Sequence, residues 1–310
     1  MPKFSYLVNR LNIVDLDLLE HSGSKRIRTD EDIIKILGLS AQELYDSPQK
    51  AKKNKYVWSI RDVKHFPSGV AAMSEIVLFK LIKSLTEKEG VIVTRNTTEE
   101  GISRTHPPSA DAIAHIIVHM GRHLVAIENV HQITNSDAWK TNFYNISNKA
   151  STNNGYCSYL DFEDKPSADE IFKEFSLFEK ITRLKIALRL PNPEWNMATK
   201  ALYEKLKKGN IREYMQDMKS PTGLSKEITE LPYASLAMAQ LGYKDGTVTL
   251  EGVKDGKLDK KITGAKAEIR HIDMEKSLTS SMLNSTGNSQ LRAVQAICEN
   301  LEQVDNENNK

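Results

Sequence analysis

Residues 181–195 read ITRLKIALRLPNPEW, and the reading of this stretch decides the fold. Leu184, Ile186, Leu188 and Leu190 alternate with Arg183, Lys185, Ala187 and Arg189. That period of two puts an aliphatic face on a core and leaves a cationic face opposite, so a strand is predicted. Pro191 ends it. Asn192 is a natural helix N-cap, and Pro193 suits the first helical position because the N–H it lacks would go unused there.

Toward the N-terminus, alternating Phe4, Tyr6 and Val8 predict an opening strand that continues through Leu11 and Ile13. Thr29-Asp30-Glu31 starts a short helix through Ile33, Ile34 and Leu37, stopped at Gly38. SPQKAKKNK (47–55) reads as an exposed loop and YVWSI (56–60) as a strand. Residues 70–89 carry apolar side chains near helical spacing with Gly90 as a cap, followed by strand VIVT (91–94). RNTTEEGISRTHPPS (95–109) reads as a long polar loop. AIAHIIVHMGRHLVAIENV (112–130) reads as two strands about a turn in which Gly121 supplies a positive φ. Trp139, Phe143 and Tyr144 lie at helical spacing, and YCSYLDF (156–162) is a strand. Ser167 to Glu170 has capping-box spacing ahead of a helix bearing Ile171, Phe172, Phe175 and Phe178.

Toward the C-terminus, a helical segment (225–241) is interrupted or restarted at Pro232. TVTLEGV (247–253) and LDKKIT (258–263) flank the turn Lys254-Asp255-Gly256-Lys257, and KAEIRHI (266–272) adds a third strand to a small antiparallel meander. SLTSSMLNSTGNS (277–289) reads as a polar linker to a final helix carrying Leu291, Val294, Ile297, Cys298 and Leu301. Helices and strands interleave without a strict βαβ rhythm, so the fold class is mixed α+β. The expected organisation is an N-terminal domain (1–165) and a C-terminal domain (166–310).

Of 310 residues, 39% are hydrophobic and 27% charged, an ordinary globular balance. With 43 basic and 41 acidic residues the net charge is +2, so a nucleic-acid surface has to be a local patch. Cys157 and Cys298 match no paired-thiol or zinc-finger spacing. They read as free thiols of a cytosolic chain, and no leader or membrane span is expected. No phosphate-binding Gly-rich loop, dinucleotide-binding turn or nucleophile elbow occurs, which argues against nucleotide hydrolysis and hydrolase chemistry of those kinds.

Three groupings bear on function. Five of the eight histidines lie between His106 and His131. His115, His119 and His123 are four apart, a zinc face only if that segment is a helix; the β-branched run and Gly121 favour a hairpin, so no metal or other cofactor is expected. Asp161, Glu163 and Lys165 match the D…ExK arrangement of metal-dependent nucleases, in which carboxylates hold Mg²⁺ and the lysine orients water; Asp137 is a further candidate carboxylate. Finally, Lys50, Lys52, Lys53 and Lys55, with Arg61 and Lys64 beyond, form the densest basic stretch. Lys25, Arg26 and Arg28 form a smaller one, and Arg183, Lys185 and Arg189 a row along one strand face. Alternate cations on a strand can follow a phosphate backbone without reading bases.

The strand ending in Leu190-Pro-Asn-Pro193, the helix after it, and the run from Leu241-Gly-Tyr to Val253-Lys-Asp-Gly256 resemble an uncharacterised bacterial family known only as a domain of unknown function. The layout of the Gly121-Arg122 hairpin, the strand 183–189 and the terminal meander is also similar to the Rex-type phage-exclusion proteins. That second resemblance implies a cytosolic homodimer that binds duplex DNA without sequence specificity. The expected function is therefore nonspecific nucleic-acid binding in phage defence or exclusion, through Lys50, Lys52, Lys53, Lys55, Arg61, Arg183, Lys185 and Arg189. The alternatives are a metal-dependent nuclease using Asp161, Glu163 and Lys165, and a protein–protein scaffold without catalysis.

Overall fold

The computed structural model describes residues 4–16, 25–27, 29–70, 74–93, 98–167, 170–189, 202, 204–206, 208–209, 211, 213–272 and 280–307. The fold is α+β, built on an eight-stranded and a four-stranded antiparallel sheet. The first sheet contains β1 (Phe4–Asp15), β2 (Ser47–Ala51), β3 (Asn54–Phe66), β4 (Ile76–Val93), β5 (Thr98–His119), β6 (Leu124–Glu128) and β7 (Ser158–Asp164), with β12 (Glu268–Ile272) returning late in the chain. Its order is β12-β1-β6-β5-β4-β3-β2. β12 lies along residues 4–8 of β1, and β7 lies along residues 9–15.

Over its central strands both faces of this sheet are covered. Phe79, Ile116, Val118, Ile127 and Phe162 point toward α1 (Asp30–Leu39) and α3 (Ala138–Asn153), whereas Tyr6, Val8, Leu78, Ile117 and Ala126 point toward α7 (Asn288–Glu307). Two-sided burial explains the largest departure from expectation. In IVLFKLI, from 76 to 82, both parities are apolar, so the period of two vanishes and the run imitates a helix. The stretch 70–89 therefore holds the first part of β4, an 18-residue strand, and not a helix.

The expected loop at 95–109 is strand as well from Thr98 onward. β5 is 22 residues long and pairs with β4 out to Val93↔Thr98. Beyond Lys88, where β3 ends its pairing, these two strands run on alone as an arm with Val91 and Ile102 exposed. Residues 91–93 of the expected strand at 91–94 are thus the end of β4, whereas solvation on both faces leaves the start of β5 with no hydrophobic alternation to read. The 47–55 stretch is likewise a hairpin, β2 and β3. At the expected Gly121 turn, a 3-10 turn (Met120–Arg122) shifts the reversal to His123, which takes the left-handed conformation at φ 49° in place of the glycine.

The second sheet has the order β11-β10-β8-β9, comprising β8 (Lys180–Arg189), β9 (Glu213–Lys219), β10 (Val248–Lys254) and β11 (Lys257–Thr263). Leu184, Ile186 and Leu188 are buried as the alternation predicts, against α4 (Glu170–Leu177) and α5 (Leu231–Gln240). Leu190 and the Pro193 helix start lie outside the described residues. The β10–β11 turn is as read, with Asp255 and Gly256 at φ 51° and 72°. Residues 268–272, however, extend the first sheet and not this one. Within the expected linker, α6 (Ser280–Asn284) is helical and buries Leu283; residues 277–279 lie outside the described residues. A short helix α2 (His131–Thr134) precedes α3.

Candidate nucleic-acid interface

The tip of the β2–β3 hairpin is built by pairing Ser47 to Ala51 against Asn54 to Trp58 across the turn Lys52-Lys53. Trp58 donates its indole N–H to Gln49 at 2.6 Å, fixing the two strands from the core side. Lys52 has φ 53°, in the left-handed region where a residue other than glycine costs roughly 1–2 kcal/mol. Lys50 stands directly across from Lys55. Like charges so placed repel. Lys55 is relieved by Glu87 at 2.6 Å, and Arg104 reaches the same carboxylate at 3.1 Å. The Lys55 hydrogen bond holds the Glu87 carboxyl below the usual range. Among the described residues no carboxylate pairs with Lys50, Lys52 or Lys53, all of them exposed. The arm adds a cation that the sequence reading missed. Lys88 is exposed and lies opposite Asn54, and Glu89 donates its backbone N–H to the Lys53 carbonyl at 2.8 Å. Only the register of two strands, one of them read as a helix, brings Lys88 here.

The other expected cations are engaged within the protein. Arg61 forks onto Asp46 at 2.6 and 2.8 Å and also donates to the carbonyls of Ala41 and Ile60. Lys64 donates to Gln290 at 2.8 Å. On β8, Arg183 forks onto Asp217 at 2.7 and 2.8 Å and touches Glu251 at 3.4 Å. Arg189, 12% exposed, meets Asp161 at 3.1 Å, Asp245 at 3.0 Å and Glu213 at 3.6 Å. Lys185 is the exposed cation of that row. In the smaller group, Lys25 is exposed, Arg26 lies 3.9 Å from Asp15, and Arg28 lies outside the described residues.

The D…ExK residues do not converge on a common point. Asp161 faces Arg189. Glu163 binds the buried Lys244 at 2.6 Å, and Lys165 binds Glu268 at 3.0 Å. Burial pushes both the Asp161 and Glu163 carboxyls upward, against the pull of their cationic partners. Asp137 is 88% exposed and lies 3.8 Å from Lys140, whose ammonium binds Asp164 at 2.7 Å. A divalent ion would have to displace a separate ammonium or guanidinium from each carboxylate, so Asp161 and Glu163 belong to a polar seam between the two sheets, while Lys165 ties the end of β7 to β12 within the first. Arg10 completes the seam: it donates to the Leu241 carbonyl at 2.8 and 3.0 Å and stacks over Tyr243.

The histidines also separate. His115 bonds Glu128 at 2.6 Å, His119 faces Glu302 at 3.2 Å, and His123 faces Asp30 at 3.1 Å. On a strand and a turn they do not stack as three ligands. No helix among the described residues is long and apolar enough to cross a membrane. A family whose description is a domain of unknown function (DUF4747) matches residues 41–287, and no curated protein matches the chain.

Proposed function

Because the chain belongs to the DUF4747 family, whose description carries no activity, we propose a function from its own residues: sequence-nonspecific binding of nucleic acid, duplex DNA first, by contacts to the phosphate backbone. The contacts are made by Lys50, Lys52, Lys53 and Lys88. One observation carries this reading: lysines without a carboxylate partner among the described residues crowd one hairpin tip, and one of them occupies a strained position that glycine fills more easily. Lys55 and Lys185 are auxiliary, while Arg61, Arg183 and Arg189 serve the fold. The setting we propose is phage defence or exclusion, with a homodimer as the working form, in the manner of the Rex-type proteins the layout resembles. The ion-paired row on β8 favours a second reading, a protein–protein scaffold without catalysis.

Gel shifts with duplex, single-stranded and RNA probes across a salt series test the proposal. Four phosphate contacts give a log–log slope of about −3.6 on duplex DNA, a loss of roughly 150-fold between about 50 and 200 mM salt. Exchange of the four lysines for glutamine should flatten that slope without changing the melting temperature. Failure of the parent protein to bind any probe at low salt overturns the proposal in favour of the scaffold.

A further inference from the structure

His119 is the last residue of β5, and its partners come from the other end of the chain. Cys298 and Glu302 lie one helical turn apart on α7 and face the same way. His119 Nε2 lies 3.2 Å from Glu302 Oε1, and Cys298 Sγ lies 3.9 Å from the same oxygen. All three donor atoms fall within 4.8 Å of one another. In a tetrahedral zinc site, bonds of about 2.0–2.3 Å place neighbouring ligand atoms roughly 3.3–3.7 Å apart. Two of the three separations, 3.2 and 3.9 Å, are close to that spacing, and the third lies within 4.8 Å.

We propose that His119, Cys298 and Glu302 bind a single zinc-class divalent cation, leaving its fourth coordination position toward solvent. The other ring nitrogen of His119, Nδ1, is buried without a partner among the described residues and carries the ring proton when Nε2 meets the metal. Ser74 donates to the same Glu302 Oε1 at 3.0 Å and so orients the carboxylate, as outer contacts do for metal ligands, while Arg122 donates to the Glu302 main-chain carbonyl at 3.3 Å.

The charges balance. The thiol releases its proton to solvent on binding, and a thiolate and a carboxylate then neutralise a 2+ ion, with neutral imidazole as third donor. A sulfur–nitrogen pair selects zinc or cobalt over magnesium or calcium. Access is from the Glu302 side, where that side chain is 37% exposed while His119 and Cys298 are buried. Occupancy ties the last helix to the first sheet.

The test is Co²⁺ titration of the full chain after chelator treatment. We expect one equivalent to give thiolate-to-cobalt charge-transfer absorption that Zn²⁺ abolishes. Cys298→Ser should lose it, and Cys157→Ser, at the other cysteine, should keep it. Glu302→Gln should weaken Co²⁺ binding at least tenfold. This variant decides the matter if Cys298→Ser fails to fold by circular dichroism, because the altered carboxylate is at the open side. Absence of the band in the parent protein, its persistence in Cys298→Ser, or unchanged affinity in Glu302→Gln overturns the site.

Discussion

Lys52 sets stability against contact with phosphate. A lysine at φ 53° gives up roughly 1 kcal/mol that glycine would recover. Lys52→Gly should therefore raise the urea midpoint while weakening DNA retention at low salt; a variant gaining both would remove Lys52 from the interface. Asp217 behaves differently, since its carboxyl is held down at about 2, chiefly by the hydrogen bond from Arg183. A depressed folded value means that the pair's stabilisation is present above the ordinary 3.8 and fades as pH falls toward 2. Asp217→Asn should thus be less stable than the parent at neutral pH, with the gap narrowing below about pH 4 in parallel urea melts. A gap independent of pH would show that the arginine gains nothing from the charge.

At the level of elements, β8 was legible because only one of its faces meets a core, so Leu184, Ile186 and Leu188 stand out against Arg183 and Lys185. β4 was not, because α3 and α7 cover both its faces at Ile76 to Leu81. In the arm beyond Lys88, Val91 to Val93 was read as strand, but its partner from Thr98 was illegible for the opposite reason: water covers both faces. The candidate interface divides along the same line. The lysines at 50, 52 and 53 adjoin in sequence and were visible, whereas Lys88 arrives through strand register. The carboxylates that take up Arg61, Arg183 and Arg189 do so through tertiary placement, which no local spacing announces. Gly252 shows how tight the pairing becomes. The β8–β10 register shifts there, and a Cβ would lie 2.0 Å from the Lys180 carbonyl oxygen. Backbone cannot swing aside as a side chain can, so Gly252→Ala should destabilise by about 3 kcal/mol or more in denaturant melts. A neutral result would mean that the two strands separate freely at the shift.

Across the whole molecule, two sheets are joined by buried charge. Lys244, 1% exposed, donates to the Gly246 carbonyl at 2.7 Å and has Glu163 as its carboxylate partner. Glu163→Gln should cost about 3–5 kcal/mol by stranding that ammonium, and pairing it with Lys244→Met should restore most of the loss. If the double variant is no better than the single one, the seam is held by packing alone. The seam also explains why Asp161, Glu163 and Lys165 imitate a catalytic set: alternate charged residues on a strand suit a polar junction as well as they suit a metal. One consequence concerns the order in which the ribosome delivers this chain. The face of the first sheet formed by Tyr6, Val8, Leu78 and Ile117 is covered by α7, whose Val294, Ile297 and Leu301 are synthesised well after those strands. At ordinary elongation rates of about 5–20 residues per second, roughly 10–35 s separate the appearance of β6 from that of α7. Throughout that interval the newborn chain lacks the helix that covers this apolar surface in the folded protein.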